Sequence, residues 1–189
     1  MGMIQAPNQT PADRLDQMVQ QYEKDLLRIC CIYLRDRTAA EDVVQETFLK
    51  AFRNMDSFRG ESSEKTWLIR IVINCCRDYR RSAWYRYIDN RVSIDQLPFL
   101  SSAPPSDDHI ALTMAIMKLK PKYMEVVLLY FYEGYPIKEI ARMLNLTEAA
   151  VSNRIHKAKQ KLRAELEGGA LSIPRVQSSI AARMLFMIS

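Results

Sequence analysis

The sequence predicts an all-α protein built as two small helical domains joined by a flexible linker. Three observations carry this. Apolar residues recur at threes and fours through most of the chain, which is the helical period. Glycine is scarce, with five in 189 residues. Between residues 92 and 108 the period lapses into Pro98, Pro104, Pro105, four serines and several aspartates, the composition of an interdomain linker. A chain of this length holds one ordinary domain or two small ones with modest cores. The organisation read from these signals is an N-terminal extension (1–14), a first domain (15–91), the linker (92–108), a second domain (109–167) and a C-terminal extension (168–189).

From residue 15 to 34, Leu15, Met18, Val19, Tyr22, Leu26, Ile29, Cys30, Tyr33 and Leu34 form the apolar stripe of a first helix. A second is expected to start near Thr38 as N-cap, with Glu41 and Asp42 in its first turn and Val44, Phe48, Leu49 and Phe52 on one face. Its other face is polar and acidic. Residues 54–65, with Gly60 and a serine run, predict a loop, and Trp67, Leu68, Ile71, Val72 and Cys75 open a third helix. That helix runs into a basic cluster, Arg77, Arg80, Arg81, Arg86 and Arg91, interleaved with Tyr79, Trp84, Tyr85 and Tyr87.

Beyond the linker, residues 110–119 and 123–132 read as two helices separated by Pro121 and closed by Gly134. Pro136 suits a first helical position, and Ile137, Ile140, Ala141 and Leu144 give a two-turn helix. Asn145 suits a left-handed C-terminal stop, Thr147 suits an N-cap, and Leu146 with Val151 forms a hydrophobic staple. In the helix that follows, Val151, Ile155, Ala158, Leu162 and Leu166 make the buried stripe. At about 100° per residue, Ala149, Asn153, His156 and Gln160 lie opposite it, flanked by Ser152 and Lys157. A short helix, a tight turn and a helix presenting a polar, basic face is the arrangement that enters a DNA major groove. Asn153 suits base edges, Ser152 and His156 suit base edges or phosphate, and Lys157, Lys159, Lys161 and Arg163 supply charge for phosphates. The same pattern also describes a solvated helical hairpin.

A net charge of +5 and a pI near 9.0 favour a polyanionic partner. The N-terminus lacks a basic region followed by an apolar one, and no stretch approaches the ~20 apolar residues of a membrane span, so the expected location is the cytoplasm, on the nucleoid. Cys30–Cys31 and Cys75–Cys76 fit neither zinc-ribbon spacing nor a secreted disulfide framework, and they read as reduced, buried thiols, with a redox role as the alternative. His109 and His156 have no ligand-like spacing to a cysteine or carboxylate. No metal site, cofactor or catalytic residue is expected. Gly-rich phosphate loops, H-E-x-x-H and G-x-S-x-G motifs are lacking.

The segment LKPKYMEVVLLYFYEGYPIKEIARMLNLTEAAVSNRIHKAKQKLRAEL resembles region 4 of bacterial sigma factors. AEDVVQETFLKAF, followed by DSFRGESSEKTWLIRIVINCCRDYRR, resembles region 2 of the extracytoplasmic-function (ECF) group of the sigma-70 superfamily. The two blocks follow in the family's order and spacing, with no region 3 between them, and cover most of residues 15–166. The resemblance implies a transcription initiation factor, not an enzyme, with core RNA polymerase and promoter DNA as partners, no small-molecule substrate, and an anti-sigma factor that is often membrane-linked and holds the protein at the membrane.

On matching positions it implies that Asp42, Gln45, Glu46 and Leu49 dock on the β′ clamp helices, and that region 4 meets the β flap. An acidic helix face suits a basic helical partner, and it equally describes an ordinary solvated face. The resemblance also implies that the loop before the third helix and that helix capture the melted minus-10 strand, through Phe58, Arg59, Lys65, Asn74, Arg77 and Arg81. Such a strand needs cations for its backbone and surfaces for unstacked bases. Trp67 falls on the apolar side of its helix and reads as core or as such a surface. Ser152, Asn153, His156 and Lys157 match the contacts to the minus-35 element and coincide with the face derived above. His156 and Lys157 stand where the family often carries an aromatic or aliphatic residue and an arginine, so the promoter sequence is not carried over. Asp95, Asp107 and Asp108 lie in the linker, which in this family threads the polymerase's RNA path. In the tail, Val176, Ile180, Met184 and Ile188 share one helical face, and Arg175 and Arg183 are its basic residues. Two other functions fit parts of the pattern: a dimeric regulator binding operator DNA by itself through the helix-turn-helix, which the region 2 blocks oppose, and a nucleic-acid enzyme, for which no site is found.

Overall fold

The computed structural model describes residues 10–58, 60, 62–82 and 107–168. The calls on Arg59, on Trp84, Tyr85, Arg86, Tyr87 and Arg91, on most of the linker and on the tail from residue 169 lie outside the described residues. Helices account for nearly all of the described chain and no strand occurs among the described residues. The chain divides into two compact units, Met1–Arg91 and Val92–Ser189, each taken by itself below.

The first unit packs α1 (Pro11–Leu34), α2 (Arg37–Arg53) and α3 (Glu64–Arg81) against one another. α1 begins at Pro11, inside the segment expected to be an extension. Thr10 explains the earlier start. Its hydroxyl oxygen accepts from Asp13 N–H at 3.1 Å, its own N–H donates to Asp13 Oδ2 at 3.0 Å, and Pro11 needs no partner in the first turn. Arg35, left-handed at φ +60°, stops α1 by donating to Cys31 O at 2.9 Å. Asp36, not Thr38, caps α2, accepting from Ala39 N–H at 3.0 Å. The shorter turn wins because Asp36 directly follows the helix stop. Ser63 caps α3 through Thr66 N–H at 3.1 Å, so Lys65 is helical rather than part of the loop.

The core of this unit is Met18, Leu26, Ile29, Cys30, Tyr33 and Leu34 of α1, Ala40, Val44 and Phe48 of α2, and Leu68, Ile69, Val72, Ile73 and Cys76 of α3. Each large aliphatic so enclosed contributes about 1.5–3 kcal/mol of transfer free energy. The buried face of α2 is rich in small residues, Ala39, Ala40, Val43, Thr47 and Ala51, which lets its neighbours approach closely. Leu49 and Phe52, grouped by sequence with the apolar face, instead lie 49% and 43% exposed.

The second unit runs α4 (Asp107–Lys118), α5 (Pro121–Val127), a wider π-helical turn over Leu128–Tyr132, α6 (Ile137–Leu144) and α7 (Glu148–Gly168). Asp107 and Asp108 therefore belong to α4 rather than to the linker. Pro121 opens α5 as well as separating it from α4. The π turn hands on to Gly134 at φ +74°, and Tyr135 N–H closes back on Leu129 O at 3.0 Å. Pro136 precedes α6 as its cap residue, one place before the position expected for it, because its extended ψ of 153° is not helical. Asn145 is left-handed at φ +54°, Leu146 N–H returns to Ala141 O at 2.8 Å, and Thr147 Oγ1 accepts from Ala150 N–H at 3.1 Å. This is the tight turn that the sequence specifies. α4, α5 and α6 all pack on α7.

Candidate nucleic-acid and polymerase interfaces

On α2, Asp42 and Gln45 are exposed, Glu46 is half-buried, and Leu49 follows on the same side. Glu46 Oε1 lies 3.5 Å from Lys50 Nζ, which also reaches Cys75 Sγ at 3.5 Å. Burial of Lys50 works against its charge, but the Cys75 and Glu46 neighbours outweigh this and raise its pKa. The structure brings the four sequence-assigned residues onto one face and adds Phe52. Two large apolar side chains, Leu49 and Phe52, are thus exposed beside carboxylates and an amide.

Beyond α2 the chain makes a 3₁₀ turn over Met55–Ser57, with Phe58 N–H donating to Met55 O at 3.1 Å. Phe58 is half-buried against Trp67, ring centroids 4.9 Å apart and planes 32° apart. Trp67 is thus neither full core nor free. Lys65 is half-buried and pairs with α1: Nζ donates to Asp25 Oδ2 at 2.7 Å, and Asp25 also receives Arg28 at 3.0 Å. Asn74 and Arg81 are exposed and Arg77 half-buried, and with exposed Arg70 they form a single stripe along α3 at helical spacing. Arg77 donates to Asn74 Oδ1 at 3.4 Å and Arg81 pairs with Asp78 at 2.7 Å. Arg80 turns inward, its guanidinium 5.6 Å from the Tyr33 ring centroid and 3.4 Å from Tyr33 O. Asn74 and Arg77 are thus linked, Arg81 follows on the same stripe paired with Asp78, Phe58 stands at the approach to α3, and Lys65 reaches α1.

In the second unit, Val151, Ile155, Ala158, Leu162 and Leu166 are all buried, and Ser152, Asn153, His156 and Lys157 are all exposed. His156 Nε2 and Gln160 Nε2 are 3.1 Å apart, so the imidazole is steered from within its own helix. Beside this face Tyr130, Ile137, Ser152, Ile155, His156 and Lys159 line an open hollow. Lys159 Nζ lies 5.9 Å from the Phe131 ring centroid. Tyr130 and Ile137, which sequence did not connect to this face, reach it because the π turn and the start of α6 close on α7.

All four cysteines are buried and free, with Cys30 and Cys76 sulfurs 3.7 Å apart. Burial raises the Cys30 thiol pKa strongly, pushes Cys31 up to about 12 and raises Cys75, where Thr47 and Lys50 pull the other way. Cys30, Cys31 and Cys75 are therefore held as thiols, and all four cysteines pack as small apolar groups. Among the described residues no three His, Cys, Asp or Glu side chains converge on a point, and no helix is long and apolar enough to cross a membrane.

Fold and faces together define a class: a helical protein of two units, with a helix-turn-helix in one and an exposed acidic and apolar helix face in the other. Residues 18–86 match the family described as Sigma-70 region 2, and residues 109–162 match Sigma-70, region 4. The chain is 30% identical over 147 residues to "ECF RNA polymerase sigma factor SigM" of Mycobacterium tuberculosis, covering 78% of this chain and 74% of that one. It is also 30% identical over 167 residues to "ECF RNA polymerase sigma factor SigW" of Bacillus subtilis, covering 82% and 89%. The chain belongs to the ECF sigma factors of the sigma-70 family. Among solved structures it resembles "CnrH in complex with the cytosolic domain of CnrY", at TM-score 0.62 and 27% identity over 82% of this chain and 89% of that one. It shares a fold with "the sigma factor RpoE in complex with the anti-sigma factor NepR from Bartonella quintana", at TM-score 0.67 and 21% identity over 82% and 97%.

Proposed function

We propose that this chain binds core RNA polymerase through the Asp42, Gln45, Glu46 and Leu49 face of α2, and directs it to promoters read by two separate surfaces. Ser152, Asn153, His156 and Lys157 read the upstream, minus-35 element. Phe58, Lys65 and the Asn74, Arg77 and Arg81 stripe of α3 receive the melted minus-10 strand, with Lys65 also paired to Asp25 of α1. The observation that carries the reading is the pairing of a docking face with exposed Leu49 and Phe52 in the first unit and a helix-turn-helix with a polar, basic outer face in the second. A regulator binding operator DNA by itself has no use for the first. The protein performs no chemistry of its own; the polymerase supplies the catalysis. It works on the nucleoid, and an anti-sigma partner, in some family members membrane-linked, holds it back, in keeping with the complexed state of the CnrH and RpoE relatives.

The test is co-elution of the full chain with core polymerase. A stoichiometric complex lost in Asp42→Lys and Glu46→Lys variants that keep wild-type helicity supports the reading, and a complex untouched by both removes that face from it.

A further inference from the structure

Arg14 lies on α1 ahead of the residues that sequence assigns to the first domain, yet it touches both elements that lead into the strand-capturing surface. Its Nε and Nη2 both donate to Glu64 Oε1, at 2.9 and 2.7 Å, and its guanidinium carbon lies 5.3 Å from the Phe58 ring centroid. Phe58 packs in turn on Trp67. The start of α1, the segment leaving the 3₁₀ turn and the first turns of α3 therefore meet at one guanidinium. Arginine suits both contacts at once, because two N–H groups of its planar fork meet one carboxylate oxygen while the guanidinium lies near an aromatic ring.

The packing of α1 on α3 does not depend on this contact. That packing rests on Leu26, Ile29, Cys30, Leu68, Val72 and Cys76, all sealed from solvent, whereas the Arg14 and Glu64 side chains are 36% and 32% exposed. A partly exposed pair adds little to stability. What it does fix is where Phe58 sits relative to α3. It also neutralises the Glu64 carboxylate, which would otherwise repel a phosphate arriving at this end of the helix. The capping box at Thr10 holds the Arg14 end of α1 in place.

We infer that Arg14 is a positioning residue for promoter opening: it sets the Phe58 ring and the first turn of α3 in the geometry that receives an unstacked base of the melted strand. This rests on the assignment of Phe58 and the α3 stripe to that strand.

The experiment uses the full chain in holoenzyme on a duplex promoter that carries 2-aminopurine in its minus-10 element, with opening followed by fluorescence. Arg14→Ala, Arg14→Lys, Phe58→Ala and the Arg14→Ala/Phe58→Ala double variant are compared for opening, affinity for core polymerase and thermal midpoint. Arg14→Ala is expected to slow opening about fivefold with polymerase affinity and midpoint near wild type. Arg14→Lys, which keeps the charge but not the fork, is expected to fall between, and the double variant to be no slower than Phe58→Ala. If Phe58→Ala slows opening and Arg14→Ala does not, the positioning role is wrong while the assignment of Phe58 stands. If Phe58→Ala opens normally, that assignment fails and takes the inference with it. A midpoint or polymerase affinity that falls in step with opening would make Arg14 merely structural. Should Arg14→Ala not fold, wild-type opening by Arg14→Lys overturns the inference.

Discussion

Replacing Asn153 by alanine separates reading a base from holding the fold. Asn153 is exposed on α7, opposite the buried Val151, Ile155, Ala158 stripe, and its side chain forms no hydrogen bond with any described residue. The substitution removes no internal contact and places a good helix former in the helix, so the change in stability is expected to stay within about 0.5 kcal/mol. An asparagine that pairs with a base edge carries about 1–3 kcal/mol of discrimination, which at about 1.4 kcal/mol per decade is roughly a 5- to 150-fold preference. Lys157 is exposed on the same face, and the point charge of a lysine suits phosphate, which carries no sequence. The assay is multi-round transcription by reconstituted holoenzyme on templates randomised across the upstream element, with transcripts counted by sequence. Asn153→Ala is expected to flatten the preference at one or two adjacent base pairs and leave the rest. Lys157→Ala is expected to lower all templates evenly and to reduce the salt dependence of binding by about one counterion. An unaltered preference in Asn153→Ala, with the protein folded and polymerase-bound, would refute the assignment of this face.

Other substitutions probe other parts of the account. Thr147→Ala removes the acceptor for Ala150 N–H and is expected to cost about 1 kcal/mol in urea unfolding of the second unit. Leu68→Ala, at a site with no solvent exposure, is expected to cost about 2–5 kcal/mol, read as a lower denaturation midpoint, whereas Arg70→Ala next to it on the exposed stripe changes stability by no more than about 0.5 kcal/mol. Asp42→Lys is expected to weaken polymerase binding about fivefold or more, by setting like charge against a basic partner, with circular dichroism unchanged. The raised thiol pKa values fix the sign of an alkaline effect. Cys31 ionises near 9 when unfolded and at about 12 when folded, so above pH 9 the unfolded chain has released the proton that the folded chain retains. Stability is therefore full below pH 9 and falls as pH rises towards 12, and Cys31→Ala is expected to flatten that decline in a pH series of thermal midpoints.

The second unit was legible in sequence almost residue by residue because each of its signals is local. Asn145 had to tolerate a left-handed backbone, Thr147 had to cap, and the α7 stripe follows from the helical period alone. The first unit was less legible where two local signals competed or where a partner lay far along the chain. Asp36 and Thr38 both suit a cap, and the choice was made by the stop at Arg35, which carries no glycine to mark it. Leu49 and Phe52 share the apolar helical spacing of Val44 and Phe48, yet α2 is covered by α1 and α3 on its small-residue side, leaving both large side chains exposed. Lys65, assigned by sequence to nucleic acid, also reaches Asp25, 40 residues earlier in the chain, a pairing for which sequence carries no local signal. Arg14 and Glu64, 50 residues apart, show no periodic signal at all.

Run-off transcription by core polymerase on sheared genomic DNA, with and without the full chain, tests the central claim most directly, because it demands docking, upstream reading and strand opening together. New transcript starts that share two spaced upstream motifs are the predicted result. Sequence-specific binding of DNA by the chain alone, with no new starts and no complex with polymerase, would contradict the account.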